Sequence, residues 1–564
     1  MSTSYINRRE FLQWTSLSVM SSLVLFDRAW AQNPKFVVAD TSFGKVRGME
    51  SRGIKIFKGI PYGASTGGNK RFMPPVDPEG WSGIRDTMAY GHSAPQNVPK
   101  RAEDTSRKTE KPKSPPPLAA PAGPSIYKAL GVPGDKPTGE GEDCLVLNVW
   151  TPAINDGGKR PVMLWLHGGG FRGGSGSNLG WDGTNLCLRG DVVVLTINHR
   201  LNVMGFANLS AFSSDFAASG QVGMLDIVHA LKWVQTNIAQ FGGDPNRVMI
   251  FGQSGGGRKC ETLLAMPSAK GLFHRAVIES GIAIKVVDRD QAFRNAEMLH
   301  AKLGISKVEV HQLQKLPVEQ ILEAHYEVNR GLGADLDTLG FAPSVDGVIL
   351  PQHPFHPVAL RVSPDVPMMI GSTRTEWTGL TTDASLWHLD EAGLQVQVNK
   401  LLGDKAGEMI ELYRKCNPGA SPSDLFFLIA SDYSYGAKTM KISERRAAIG
   451  RGAVCLYYFA WESPVQGGML KSPHNIEWPF AFDNTQICAN LTGGDPDAMV
   501  LADKISDTWI AFARTGDPNN PKIPHWPEFD VNKRGTMIIE KECAFMNDPL
   551  REHRIAMFQA MDLS

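Results

Sequence analysis

From residue 161 onward the chain alternates short, continuously apolar runs with stretches of helical spacing, and few folds satisfy that alternation. The apolar runs are 162–166, 192–197, 248–251, 276–278, 366–370 and 454–459. Strands with no polar alternate face are covered on both sides. Between two of them, Leu225, Val228, Leu231, Val234 and Ile238 recur at helical spacing over 224–239. The pattern predicts an α/β fold, a large and mostly parallel central sheet with helices on both faces. Val37-Val38-Ala39 and Gly44-Lys45-Val46-Arg47-Gly48 read as an opening hairpin, and 285–360 as a helical insertion between strands. No internal repeat is present, and 32–564 reads as one domain.

The first 31 residues differ in kind. Asn7-Arg8-Arg9-Glu10-Phe11-Leu12 has the paired arginines of a twin-arginine export signal. A modest apolar region follows, and Ala29-Trp30-Ala31 supplies a small-x-small cleavage site. A Sec signal is the alternative route. Either predicts an exported protein, periplasmic or extracellular. No later run is long enough to cross a membrane as a helix. Residues 97–140 combine dense charge of both signs with Pro115-Pro116-Pro117, Pro121 and Pro124. Such a stretch lacks apolar content to pack and reads as a flexible insertion, either a passive linker or a lid limiting substrate size.

Composition excludes several classes. The 58 basic and 58 acidic residues cancel, which argues against a whole-protein nucleic-acid binder. The seven cysteines include no C-x-x-C pair, so zinc and thioredoxin-type sites are unsupported and buried free thiols are expected.

Gly252-Gln253-Ser254-Gly255-Gly256 fits G-x-S-x-G, a serine on a tight strand-to-helix turn. With 57 glycines in 564 residues the pattern alone is weak, and Gly63-Ala64-Ser65-Thr66-Gly67 matches it too. Context separates them. Ser254 follows an apolar run and precedes a helical stretch at 258–266, whereas Ser65 lies among turn residues. A serine nucleophile needs a base, an acid to orient the base, and donors for the oxyanion. His167-Gly168-Gly169-Gly170-Phe171, directly after a strand, is an oxyanion-hole motif of the HGGG type, and the N–H of Gly255 would add a donor. Gly168, Gly170 and Gly173 also fit a dinucleotide fingerprint, but no helix follows and Asp191 precedes the next strand instead of ending it. For the acid, Glu376 follows the 366–370 strand, although composition alone favours an exposed carboxylate there. For the base, His474 follows the 454–459 strand by a loop, and His525 stays open as the second choice.

Taken together these residues resemble the type-B carboxylesterase family, a group of the α/β-hydrolase fold. The resemblance spans nearly the whole chain after residue 31. It rests on Phe57-Lys58-Gly59-Ile60-Pro61-Tyr62, Glu142-Asp143-Cys144-Leu145, Asn198-His199-Arg200-Leu201, Phe241-Gly242-Gly243-Asp244-Pro245 and Gly516-Asp517-Pro518-Asn519, besides the elbow. It implies a triad of Ser254, Glu376 and His474, with Gly169, Gly170 and Gly255 as oxyanion donors. It also implies a small-molecule ester substrate and neither metal nor cofactor. Trp181, Trp377 and Trp478 are candidates for the substrate pocket, with core packing as the alternative for each.

Four departures from the family pattern stand out. Gln253 replaces the usual Glu before the serine, so a negative charge beside the histidine is missing. Gly255 replaces the usual Ala. Trp377 replaces the Gly after the acid. Ala94 stands where a partner of Cys144 is usual, so that disulfide is not expected. Other readings compatible with the sequence are an esterase-like binding protein without catalysis, and an amidase or transacylase. An oxidoreductase lacks a cofactor motif.

Overall fold

The computed structural model describes residues 35–96, 139–332 and 340–563. The export signal lies outside these residues, as does the charged insertion apart from its last two. Those two tie the end of the insertion back to its start. Ser93 N–H donates to the Gly139 carbonyl (3.0 Å), and Gln96 N–H to the Glu140 carboxylate (2.8 Å).

The described strands are β1 (Lys35–Thr41), β2 (Gly44–Ser51), β3 (Ile54–Pro61), β4 (Ile84–Asp86), β5 (Val146–Thr151), β6 (Arg160–Leu166), β7 (Val193–Ile197), β8 (Gly243–Gln253), β9 (Arg275–Glu279), β10 (Met368–Thr373), β11 (Val454–Phe459), β12 (Gly535–Ile539) and β13 (Ala544–Asn547). They form one sheet in the order β1-β2-β3-β5-β7-β6-β8-β9-β10-β11-β12-β13, with β4 beside β2. From β7 to β12 every pairing is parallel, and the two ends of the sheet are antiparallel apart from β4, which runs parallel to β2. This is the mixed sheet of an α/β hydrolase.

Alternation along each strand splits the core in two. Val162, Leu164 and Leu166 of β6 join Val248 and Ile250 of β8 in one layer. Met163, Trp165, Met249 and Phe251 join the other. The helix Val222–Asn237 covers the first layer and Pro496–Thr515 the second. A third, smaller cluster forms among helices Glu391–Leu402, Ala406–Cys416 and Pro422–Ser431 beside the C-terminal helix Arg551–Ala560.

The opening hairpin forms as β1 and β2. The expected 366–370 strand begins later, at Met368, and runs on to Thr373. The 248–251 strand is the centre of a longer β8. Helices Arg289–Leu303 and Val318–Leu332 fill the first half of the 285–360 insertion, whereas its described remainder has no regular element. All seven cysteines are free thiols, and Ala94 and Cys144 are both buried in the first layer. No helix among the described residues is long and apolar enough to cross a membrane.

Strand order fixes where a site can form. From β6 the chain moves to β7 on one side and then returns to β8 on the other. Ligands of open α/β sheets bind beyond the carboxyl ends of the strands at such a reversal. The 167–171 loop leaves β6 and Ser254 leaves β8 at that crevice.

Candidate active site

Ser254 sits between Gln253, the last residue of β8, and the helix Gly255–Leu264, with φ +57° and ψ −119°. A non-glycine residue pays for that backbone, and such strain is typical of functional turns. The two outer glycines of the pattern explain how the turn closes. A Cβ on Gly252 or on Gly256 would collide with the Leu166 carbonyl. Strand and helix can therefore cross at β6 only if both positions are bare. The serine is held by its own N–H, which donates to the Glu279 carbonyl (2.8 Å), and it is partly exposed between buried neighbours. Ser65 is exposed in a loop far along the chain.

On one side lies the 167–171 loop. Gly169 (φ +88°) and Gly170 (φ +64°) both adopt left-handed backbone, a conformation that glycine takes at no steric cost. The Gly169 carbonyl accepts from Arg172 and Gly173 N–H, both at 3.2 Å. Gly170 packs so closely on Gly255 that a Cβ at Gly255 would fall on the Gly170 backbone. The backbones of Gly170 and Gly255 thus lie in contact next to Ser254, with no room for a side chain between them as they stand.

On the other side, Glu376 follows β10 and opens the short helix Glu376–Leu380, while His474 lies in the loop after β11. Both are buried, so Glu376 is not the exposed carboxylate that composition favours. Glu376 Oε2 accepts a short hydrogen bond from His474 Nδ1. Its Oε1 accepts from the Thr373 N–H (2.8 Å) and from the Ser280 hydroxyl (2.7 Å). The bond to Glu376 makes Nδ1 the protonated nitrogen and leaves Nε2 without a proton, the form in which it can act as a base. Gln253 Nε2 lies 3.2 Å from His474 Nε2 and 3.4 Å from Nδ1, so a neutral amide stands beside the imidazole. His525 is exposed in an irregular segment.

Sequence reasoning missed what stands behind Glu376. Ser280 Oγ also lies 2.9 Å from Glu477 Oε2, and the Tyr457 hydroxyl donates to Glu477 Oε1 (2.9 Å). Glu279 accepts from the Trp509 indole (2.8 Å). Burial, reinforced by Glu376 and Glu279, pushes Glu477 well above the usual carboxylate range. Burial pushes Glu279 up to about 8. A protonated Glu477 donates to Ser280, which donates its own proton to Glu376. The chain of bonds thus runs in one direction and ends on one buried anion. The available signal was spacing: Glu477 lies three residues after His474, and Ser280 directly follows a strand's carboxyl end.

The three tryptophans divide. Trp478 is buried in the second core layer, edge-on to Trp181 at 6.0 Å. Trp181 is partly exposed and stacks on His167 at 6.5 Å. Trp377, also partly exposed, donates its indole N–H to Ser434 (2.8 Å) and packs on Phe426. Among the described residues no cluster of His, Cys, Asp and Glu could hold a metal ion.

Comparison with known proteins gives the family and the fold. The model of the carboxylesterase family matches residues 35–558. The para-nitrobenzyl esterase of Bacillus subtilis (strain 168) is 32% identical over 524 residues, 92% of this chain and 98% of that protein. The phenmedipham hydrolase of Pseudarthrobacter oxydans is 32% identical over 518 residues, 90% of this chain and 96% of its own. A crystal structure of a Geobacillus stearothermophilus carboxylesterase superposes with a TM-score of 0.76 at 33% identity, covering 92% of this chain and 99% of that one.

Proposed function

The chain belongs to the carboxylesterase family, and from that premise we propose how it hydrolyses carboxylic esters and on which residues. Ser254 Oγ attacks the ester carbonyl while His474 Nε2 takes its proton. The carbonyl π electrons move to oxygen, and the oxyanion accepts hydrogen bonds from the N–H groups of Gly169, Gly170 and Gly255. Collapse of this intermediate expels the alcohol, which leaves with the proton from His474. Water then attacks the acyl-serine by the same steps in reverse, releasing the acid and the free serine. Glu376 holds the imidazole in the Nδ1–H tautomer and stabilises its cation.

The observation that carries this reading is the buried Glu376–His474 pair opposite a serine held at positive φ. The test is covalent labelling by a fluorophosphonate. The wild type should be labelled and Ser254→Ala should not, with kcat falling by about 10⁶-fold. A labelled alanine variant would remove Ser254 from the role.

Substrates in this reading are small esters. The relatives include a para-nitrobenzyl esterase, and a structural neighbour from Clostridium hathewayi can hydrolyse aliphatic aromatic polyesters. Their partial exposure supports Trp181 and Trp377 as candidates for the pocket wall, whereas buried Trp478 packs against Trp181. A panel of esters, amides and alcohol acceptors separates hydrolase from amidase or transacylase. Export rests on the pattern in 1–31 alone. A mature N-terminus at Gln32, recovered outside the cytoplasm, is the outcome expected, and an intact Met1 there would refute cleavage.

A further inference from the structure

The steps above leave one buried cation unused. Lys259 lies on the first turns of the helix that Ser254 opens, four residues after Gly255 and therefore on the same face, toward the oxyanion loop. It is completely buried. Its ammonium donates to the His167 carbonyl (2.8 Å) and lies 5.8 Å from the Phe171 ring centre, bracketing the three glycines between its two contacts. No carboxylate pairs with it among the described residues. A lysine is almost never fully buried unless paired, so its presence here asks for a reason.

The groups around it are basic or neutral. His167 Nδ1 donates to the Gly168 carbonyl (2.8 Å), and His199 Nδ1 to the Arg200 carbonyl (2.8 Å). Their rings stack at 5.0 Å, and both Nε2 atoms are buried without a hydrogen-bond partner among the described residues. Burial, with the Lys259 charge beside them, holds both imidazoles well below their ordinary range, hence neutral. Cys260 is a buried thiol. The next charges along, Arg200 and Asp226, are consumed by each other at 2.6 Å. The loop is therefore fastened at two successive carbonyls. Lys259 holds that of His167 and His167 that of Gly168, whose peptide continues into the Gly169 N–H. Polarising a carbonyl strengthens donation by the N–H of the same peptide.

We propose that Lys259 is a positioning residue of the oxyanion hole, a charged floor that fixes the 167–171 loop and supplies the counter-charge for the oxyanion. It rests on the reading of Gly169, Gly170 and Gly255 as oxyanion donors. It touches no substrate atom, and its effect belongs to the transition state. A buried positive charge without an anion is a cost in the resting enzyme that falls when negative charge forms above it. Burial brings Lys259 down to about 7, so the ammonium is lost within the neutral range. Formation of an oxyanion should then draw a proton back onto it.

A trifluoromethyl ketone tests this, because the serine adds to it and leaves an oxyanion in the hole. In the wild type the ketone should bind more weakly above neutrality, by up to about tenfold per pH unit, with uptake of a proton on binding. Lys259→Met is a neutral replacement of similar length that relieves a buried charge. It should lower kcat about ten- to a hundredfold at nearly constant KM, and lose both the alkaline decline and the proton uptake. Glu261, buried two residues away and pushed up to about 8, is the competing titrating group, and Glu261→Gln should keep both. Proton uptake can be measured calorimetrically on the unaltered protein, so the test survives a variant that does not fold. Binding of the ketone with no pH dependence and no proton uptake overturns the role of Lys259 alone. Failure of the ketone to bind at any pH overturns the oxyanion-hole reading and this one with it.

Discussion

The two sides of Ser254 are built from opposite chemistry. Beneath the glycine loop lie buried Lys259, His167 and His199, one cation and two bases. Behind His474 they are Glu376, Glu477 and Glu279, three acids. Ester hydrolysis separates charge in the same sense. In the proposed mechanism the oxyanion grows on the glycine side and the imidazolium on the acid side. Dipoles and charges already aimed at those positions cost no reorganisation when the reaction occurs. Each side also controls its own excess. Depressed imidazole basicity keeps the positive side at one cation at most, and raised carboxyl basicity keeps the acid side near one anion.

Variants can break this polarity in order of severity. The largest loss should come from Glu376→Gln. It removes the anion and offers an amide that supports the wrong imidazole tautomer, so kcat should fall about 10⁴-fold with little change in KM. Less than about tenfold in steady-state assays would mean that the anion is supplied by another group. Next is Gly255→Ala. The added Cβ meets the Gly170 backbone, so the loop must retreat and at least one donor is lost, about 10²–10³ in kcat. Activity equal to the wild type would show that the loop moves freely and that the close packing has no catalytic weight.

The smallest change should be Gln253→Glu, which restores the family's usual residue 3.2 Å from the imidazole. An added anion favours the charged form of histidine, so the acid limb of kcat/KM should move up, by about one pH unit. Imidazolium stabilisation would raise kcat modestly above that limb and cost activity below it. An acid limb that stays in place would mean that the amide nitrogen, not its neutrality, is what matters at 253.

Much of this was legible in the residues themselves. The strands from β6 to β11 announce themselves as apolar runs, because a strand buried on both faces has no polar positions to spare. The elbow was legible for a steric reason. Gly252 and Gly256 are required wherever a strand and a helix cross so closely around one residue. The 167–171 glycines were legible for the same reason. The acid and base were harder. Glu376 could be an exposed carboxylate, and His474 competed with His525 until the family resemblance separated them. The departures at Gln253 and Gly255 were visible as letters, but the contacts that give them consequence were not.

The sequence by itself determined the local geometry: which stretches extend, which coil, and where the backbone must turn without a side chain. These follow from sterics and periodicity among near neighbours. Only the tertiary structure decided the electrostatics. Ser280 reaches Glu376 and Glu477 across 96 and 197 residues, and Lys259 reaches His167 across 92. Whether such a group is charged depends on what excludes water from it and which partner it finds. Both are settled when distant segments pack, and neither is written in the residues on either side.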